Sequence, residues 1–363
     1  MTQKERYEIA LSGKAADMVP WAVNFDHWWD VNKKQGTLPR KYVGLTRYEI
    51  WRSLGVAMWA RTRLYKEERP NVKQTHSVDG SVEIVSYETP VGTLYEKYQL
   101  ATDFTRARFL VEHMVKSLED LPAYKFYVQD TVATPDYTHA LRMMEDVGDD
   151  GIVLAPGPDT PYQAFMISVA GWVTGIYMLM DHPSEVEEVF EIMAEKNLET
   201  YEIMARSPVW VYQEGDNMDV MTSPEHYRKY VIPFGKRAAA VHHKHGKLYQ
   251  SHYDGSIGNH LPLIPETGLD CIEAVTPAPM GDFTMKDAFR HLGGKVVMQG
   301  GVPSVTLCHG FPLDELKGLV LEALELGKQG GFVLGMGDNV PPDADFSRID
   351  FITELVEKHG RIG

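Results

Sequence analysis

The chain has 363 residues, 44% hydrophobic and 24% charged, with 31 Gly and 21 Pro, the make-up of an ordinary folded chain of enzyme size and not of a disordered or collagen-like polymer. Thirty-six Lys and Arg against 51 Asp and Glu leave a formal charge of −15, and no basic run offsets it, so nucleic acid is excluded as a partner. Two cysteines, Cys271 and Cys308, cannot build a disulfide framework and suit a reducing cytoplasm, the expected location.

The N-terminal stretch MTQKERYEIALSGKAADMVPW scatters charges through a helical pattern and has no apolar core, so no signal peptide is expected. Residues Met18 to Phe25 then predict a first strand. Residues 81–100 alternate polar and apolar on both sides of Thr89-Pro90-Val91-Gly92, the signature of a hairpin, which places a small antiparallel excursion over about residues 72–105. From Tyr162 to Met180 no residue is charged, which is long enough to span a bilayer. Gln163, Ser168, Gly171, Thr174 and Gly175 interrupt that run and no Lys/Arg cluster flanks it, so a buried helix is expected and no membrane span.

From about residue 150 short apolar runs alternate with helical patterns. The runs are Gly151–Ala155, Val209–Tyr212, Lys247–Gln250, Leu269–Glu273, Lys295–Gln299 and Gly331–Gly335. Val186, Val189, Phe190 and Met193 recur at helical spacing after His182-Pro183-Ser184, as do Leu316, Leu319, Val320, Ala323 and Leu324 before Gly330-Gly331. Ser223-Pro224 opens a further helix with a cap and a first-turn proline. Strands alternating with helices mean βαβ units and a parallel sheet. With one or two earlier strands the count approaches eight, and no G-x-G-x-x-G follows the first strand. The expected fold is an α/β (β/α)8 TIM barrel with an N-terminal extension and the hairpin insertion, one domain over residues 1–363.

A barrel places its chemistry at the C-terminal strand ends and in the loops that follow. Those positions read Gln213-Glu214-Gly215-Asp216-Asn217-Met218-Asp219, Ser251-His252-Tyr253-Asp254-Gly255, Cys271-Ile272-Glu273 and Gly337-Asp338-Asn339. Early in the chain, Asp26-His27-Trp28-Trp29-Asp30 follows Phe25. An imidazole with two or three carboxylates is a ligand set for zinc or another divalent metal. The competing reading is that Glu214, Asp216 and Asp338 cap helices or, with Asp219, are solvated. His242, His243 and His245 at a Lys-containing helix end are expected to be solvated. Cys271 is expected to be a buried, inert thiol. Trp28, Trp29 and Trp59 either line an apolar pocket or belong to the core.

Five segments, Gly215-Asp216-Asn217, TSPEHYRKYVIPF from Thr222, HGKLYQSHYDG from His245, GLDCIEAVTPAPMGD from Gly268 and GMGDNVPPD from Gly335, together resemble the uroporphyrinogen decarboxylase superfamily over about residues 150–360. The resemblance is closer to its corrinoid-protein-dependent methyltransferases than to its porphyrin decarboxylases, and implies a (β/α)8 barrel. The decarboxylases hold a polycarboxylate on an arginine-rich segment after the first strand, whereas Pro20–Asp30 here has no arginine. The methyltransferases bind zinc through a His-x-Cys pair and a second Cys after the last strand. Here His252 keeps the histidine, Asp254 stands at the first Cys position and Asp338 falls near the second.

Replacing thiolates by oxygens makes a harder, more Lewis-acidic site, suited to an ether oxygen and its leaving alkoxide or phenolate. The resemblance therefore implies an O-demethylase-type methyltransferase of anaerobic one-carbon metabolism. It would take the methyl of a small methoxylated, aromatic donor and pass it to reduced cobalt (cobalamin) on a separate corrinoid protein. With that resemblance, the strand-end carboxylates around His252 lead us to expect Zn2+ on His252, Glu273 and Asp338, with Glu214 and Asp254 catalytic or completing the ligand set. Asp26, His27, Trp28, Trp29 and Tyr253 would contact the substrate. The partner would dock around Met280–Phe283 and Pro303–Leu307, and barrels of this kind often form homodimers. The alternatives are a metal-free decarboxylase or lyase with Asp26 or His27 as general acid, a methylcorrinoid:thiol methyltransferase, and a non-catalytic corrinoid-handling protein.

Overall fold

The computed structural model describes residues 1–101 and 107–363. They form two compact units, one of Met1–Leu64, Tyr137–Gly157 and Ser207–Gly363, the other of Tyr65–Asp136 and Pro158–Arg206.

The first unit holds eight parallel strands: β1 Trp21–Ala22, β2 Met58–Arg61, β3 Gly151–Pro156, β4 Val211–Glu214, β5 Leu248–His252, β6 Cys271–Val275, β7 Val297–Val302 and β8 Phe332–Met336. Each strand from β2 to β8 pairs with the next, β8 pairs with β1, and a parallel bridge from Ala22 to Ala57 joins β1 to the start of β2. The result is the expected (β/α)8 barrel. Sheets covered on both faces read as near-continuous apolar runs, which is why β3 to β8 stood out in the sequence. β1 is shorter than the run from Met18 to Phe25 predicts. Pro20 brings no N–H to a ladder, although its carbonyl accepts from Leu334 N at 2.9 Å. β2 was not among the predicted runs; its signal was the helix stop at Gly55 (φ 67°) just before Val56–Ala60.

The helix α1 (Gln3–Leu11) starts from a capping box in which Thr2 and Glu5 satisfy each other's backbone N–H. Its Tyr7, Ala10 and Leu11 pack against Ala22, Trp59, Leu154, Val211, Leu248, Cys271, Val297 and Val333 inside the barrel. Alternation along each strand then fixes what lies above this apolar plug. On β5 the inward sequence is Leu248, Gln250, His252; on β4 it is Val211, Gln213; on β6, Cys271, Glu273; on β7, Val297, Gln299. The inner wall passes from aliphatic to carboxamide to ionisable as the strands climb to their C-terminal ends.

The second unit carries a four-stranded antiparallel sheet of Lys73–Asp79, Val82–Thr89, Gly92–Leu100 and Arg108–Glu112, and a two-stranded one of Tyr65–Glu68 with Val132–Pro135. The predicted hairpin is its central pair, with Thr89 opposite Gly92. The uncharged stretch breaks into a turn of helix at Pro161–Ala164, a π-helical turn at Phe165–Val169 and the helix Trp172–Asp181 beyond Gly171 (φ 75°). Among the described residues no helix is long and apolar enough to cross a membrane.

Candidate metal centre

Two strand ends, those of β5 and β8, bring His252, Asp254 and Asp338 together. One ligand atom from each lies within 4.8 Å of the other two. His252 ends β5, Asp254 follows two residues later, and Asp338 lies two residues beyond β8. His252 Nε2 is 3.5 Å from Asp254 Oδ2, and Asn339 Nδ2 donates to Asp338 Oδ1 at 2.9 Å.

The other imidazole nitrogen is committed. The β5/β6 register sets His252 opposite Glu273, and His252 Nδ1 meets Glu273 Oε2 at 2.6 Å. The same oxygen accepts Gln213 Nε2 from β4 at 2.8 Å. Glu273, expected from its place at a strand end to bind a metal directly, instead stands behind His252 and outside the triad. A carboxylate on one ring nitrogen orients the other toward a ligand. Burial alone would lower the His252 pKa. The Glu273 charge, hydrogen bonds to Asp254 and Glu273, and the Asp254 charge overcome it and raise the value to about 10. The ring is therefore an imidazolium at neutral pH, held by carboxylates on both sides.

One nitrogen and two carboxylate oxygens, all partly accessible, fit a divalent cation with positions left open for a substrate atom. No thiolate takes part. Cys271 lies inside the barrel, and burial together with the Glu273 and Asp270 charges pushes its thiol pKa well up, so it stays protonated as expected.

Other predicted residues go elsewhere. Glu214 is 2% exposed and, by alternation, lies on the face of β4 opposite Gln213. Asp216, expected to cap or to be solvated, is buried and accepts Ser251 Oγ at 3.2 Å. Tyr253 is 1% exposed with its hydroxyl 3.0 Å from that of Tyr227, so its ring belongs to the core and offers no face to a substrate. Trp28 is likewise buried, stacked on Phe346 at 3.8 Å between centroids, with Phe25 and Tyr42 at its edges. Asp26 pairs with Arg47 at 2.9 Å, Trp29 lies under Lys33 and Arg47, and His27 is exposed. His242 is not solvated: it is buried and stacked between Tyr212 and Tyr249 at 4.9 and 5.1 Å. Helical spacing puts it on the strand-facing side with Ala238 and Ala239. His243 does reach the surface, 2.8 Å from Asp270.

Sequence reasoning missed the layer beneath the triad. Gln213, Gln250 and Gln299 are buried in the barrel, and Tyr7 donates its hydroxyl to Gln299 Oε1 at 2.6 Å. Their signal was the period of two: each glutamine sits two residues above an apolar residue of the plug.

Comparison with known proteins agrees with this architecture. Residues 136–359 match the family model described as uroporphyrinogen decarboxylase (URO-D). A curated relative, a uroporphyrinogen decarboxylase of Myxococcus xanthus (strain DK1622), is 23% identical over 252 residues, 68% of this chain and 70% of that protein. A solved structure of a methyltransferase from Methanosarcina mazei superposes with a TM-score of 0.61 at 16% identity, covering 99% of both chains, which establishes a shared fold.

Proposed function

The chain belongs to the uroporphyrinogen decarboxylase (URO-D) family, and on that premise we propose that it is a metal-dependent methyltransferase. In this reading it demethylates a methoxylated aromatic substrate and delivers the methyl to reduced cobalt on a corrinoid protein. The observation that carries the reading is the convergence of His252, Asp254 and Asp338 at the barrel mouth. Zinc held there would supply Lewis acidity toward an ether oxygen whose leaving group is an aryl oxide. His252 Nε2 and the two carboxylates would hold the cation, with Glu273 fixing the ring from behind. A hard N/O/O donor set favours an oxygen leaving group over a thiolate substrate, which argues against thiol methylation.

The same face suits a docking protein. Val220, Met221, Met280 and Val305 expose apolar side chains on the loops after β4, β6 and β7. The loop after β5 ties to its neighbours through Gly255 N to Met218 O (3.1 Å) and Gly258 N to Asp282 Oδ1 (2.8 Å), and the loops after β6 and β7 meet through Val305 N to Met280 Sδ (3.3 Å). Apolar rims around a polar centre are typical of interaction surfaces.

The name of the Myxococcus relative favours a second reading, a decarboxylase with Asp26 or His27 as general acid. Against it, Asp26 is engaged by Arg47, and Pro20–Asp30 offers no cation for a polycarboxylate. Elemental analysis of chelator-rinsed protein, with methyl transfer from methoxyarenes to a reduced corrinoid protein, separates the two. Stoichiometric metal with turnover supports the methyltransferase; a metal-free protein that releases CO2 from a carboxylated substrate sinks it.

A further inference from the structure

Gln213 and Glu273 belong to the strands on either side of β5, and they meet beneath His252. Gln213 lies in the row formed with Gln250 and Cys271, and His252 and Glu273 form the row above. The bond from Gln213 Nε2 to Glu273 Oε2 therefore runs diagonally upward and ends on the oxygen that also contacts His252 Nδ1. Gln213 is 5% and Glu273 4% exposed. An ionised carboxylate only accepts, so the amide must present its NH2 group, and no solvent competes for it.

Gln250 provides the contrast. It occupies the same row one strand along and is fully buried, yet neither its Nε2 nor its Oε1 has a hydrogen-bond partner. Two adjacent glutamines thus share a row and a chemistry, but only one reaches the carboxylate.

We propose that Gln213 is a positioning residue: by holding Glu273 it fixes the ring plane of His252, so that Nε2 faces Asp254 and Asp338. The proposal rests on the metal reading given above. Outer partners of a ligating histidine change metal affinity by about 10- to 100-fold when removed. Gln213 acts only through Glu273, so its loss should matter only while Glu273 is present.

The test uses the 363-residue chain stripped of metal and titrated with Zn2+ and with Co2+. It reads affinity, the visible Co2+ spectrum and the thermal unfolding midpoint. The wild type should bind one ion. Gln213→Met should weaken binding by about 10- to 100-fold and shift the Co2+ bands with little change in the midpoint. Gln250→Met should bind like the wild type, and Gln213→Met with Glu273→Gln should be no weaker than Glu273→Gln alone. If Gln213→Met does not fold, Gln213→Leu, of similar bulk and without a donor for Glu273, should show the loss. Wild-type affinity and spectrum in the Gln213 variant overturn the proposal and leave the metal reading standing. Equal losses in the Gln213 and Gln250 variants, or additive losses with Glu273→Gln, reduce it to general packing and overturn it too. A wild type that binds neither ion removes the metal reading and the proposal together.

Discussion

His252 Nδ1 and Glu273 Oε2 lie 2.6 Å apart across the β5/β6 register, at the point where the inner wall of the barrel becomes ionisable. The contact leaves only Nε2 of the imidazole for a ligand, and it keeps a proton on the ring while no cation competes for it.

Metal uptake should therefore release a proton. With the His252 pKa raised to about 10, the metal-free ring is charged at pH 7, whereas a ligating ring is neutral at that nitrogen. Apparent Zn2+ affinity should rise by up to about tenfold per pH unit between pH 7 and 9. Calorimetry in buffers of different ionisation enthalpy should count about one proton released per ion. A pH-independent affinity would show that His252 does not bind the metal.

The same shift sets a trend in stability. A histidine whose pKa is raised on folding stabilises the folded state fully below its unfolded value of about 6.5. That contribution is lost as pH climbs toward about 10. Urea denaturation of metal-free protein should show a decline of a few kcal/mol between pH 7 and 10, flatter in Glu273→Gln.

Removing a member of the triad should abolish stoichiometric metal. His252→Ala, Asp254→Ala and Asp338→Ala should each fall well below one ion per chain after a chelator rinse, whereas Glu214→Gln should keep it, since Glu214 lies on the other face of β4. Retention of metal by His252→Ala would move the site elsewhere.

Tyr7 tests the polar layer independently of the metal. Tyr7→Phe removes a buried 2.6 Å bond to Gln299 and leaves an amide oxygen unpaired, at a cost of about 1–3 kcal/mol in folding stability. Metal content should be unchanged. Chemical denaturation beside elemental analysis checks both.

Charge placed on the exposed rim should weaken docking alone. Met221→Glu and Met280→Glu should raise KM for the corrinoid protein by about tenfold and leave KM for the methyl donor unchanged. Equal rises in both would place these side chains against the substrate.

Much of this was legible in the sequence, because the signals were local. An apolar run bounded by a helix cap or a glycine marks a buried parallel strand wherever it pairs, so β3 to β8 and the barrel followed from the chain alone. The rule that chemistry gathers at strand ends likewise drew His252, Glu214, Asp254, Glu273 and Asp338 into one candidate group before any distance was known. The sequence did not separate Glu273 from Glu214, two carboxylates at strand ends, nor Trp28 and Tyr253 from substrate-facing aromatics. Tertiary structure decided those. Inward phase sends Glu273 into the barrel and Glu214 out of it, and inter-strand register sets Glu273 opposite His252. Packing against Phe346 and Tyr227 withdraws the two aromatics from the mouth. Periodicity lies within a few residues of one strand, whereas register and packing join residues far apart in sequence, and a ligand shell is assembled from those long-range contacts.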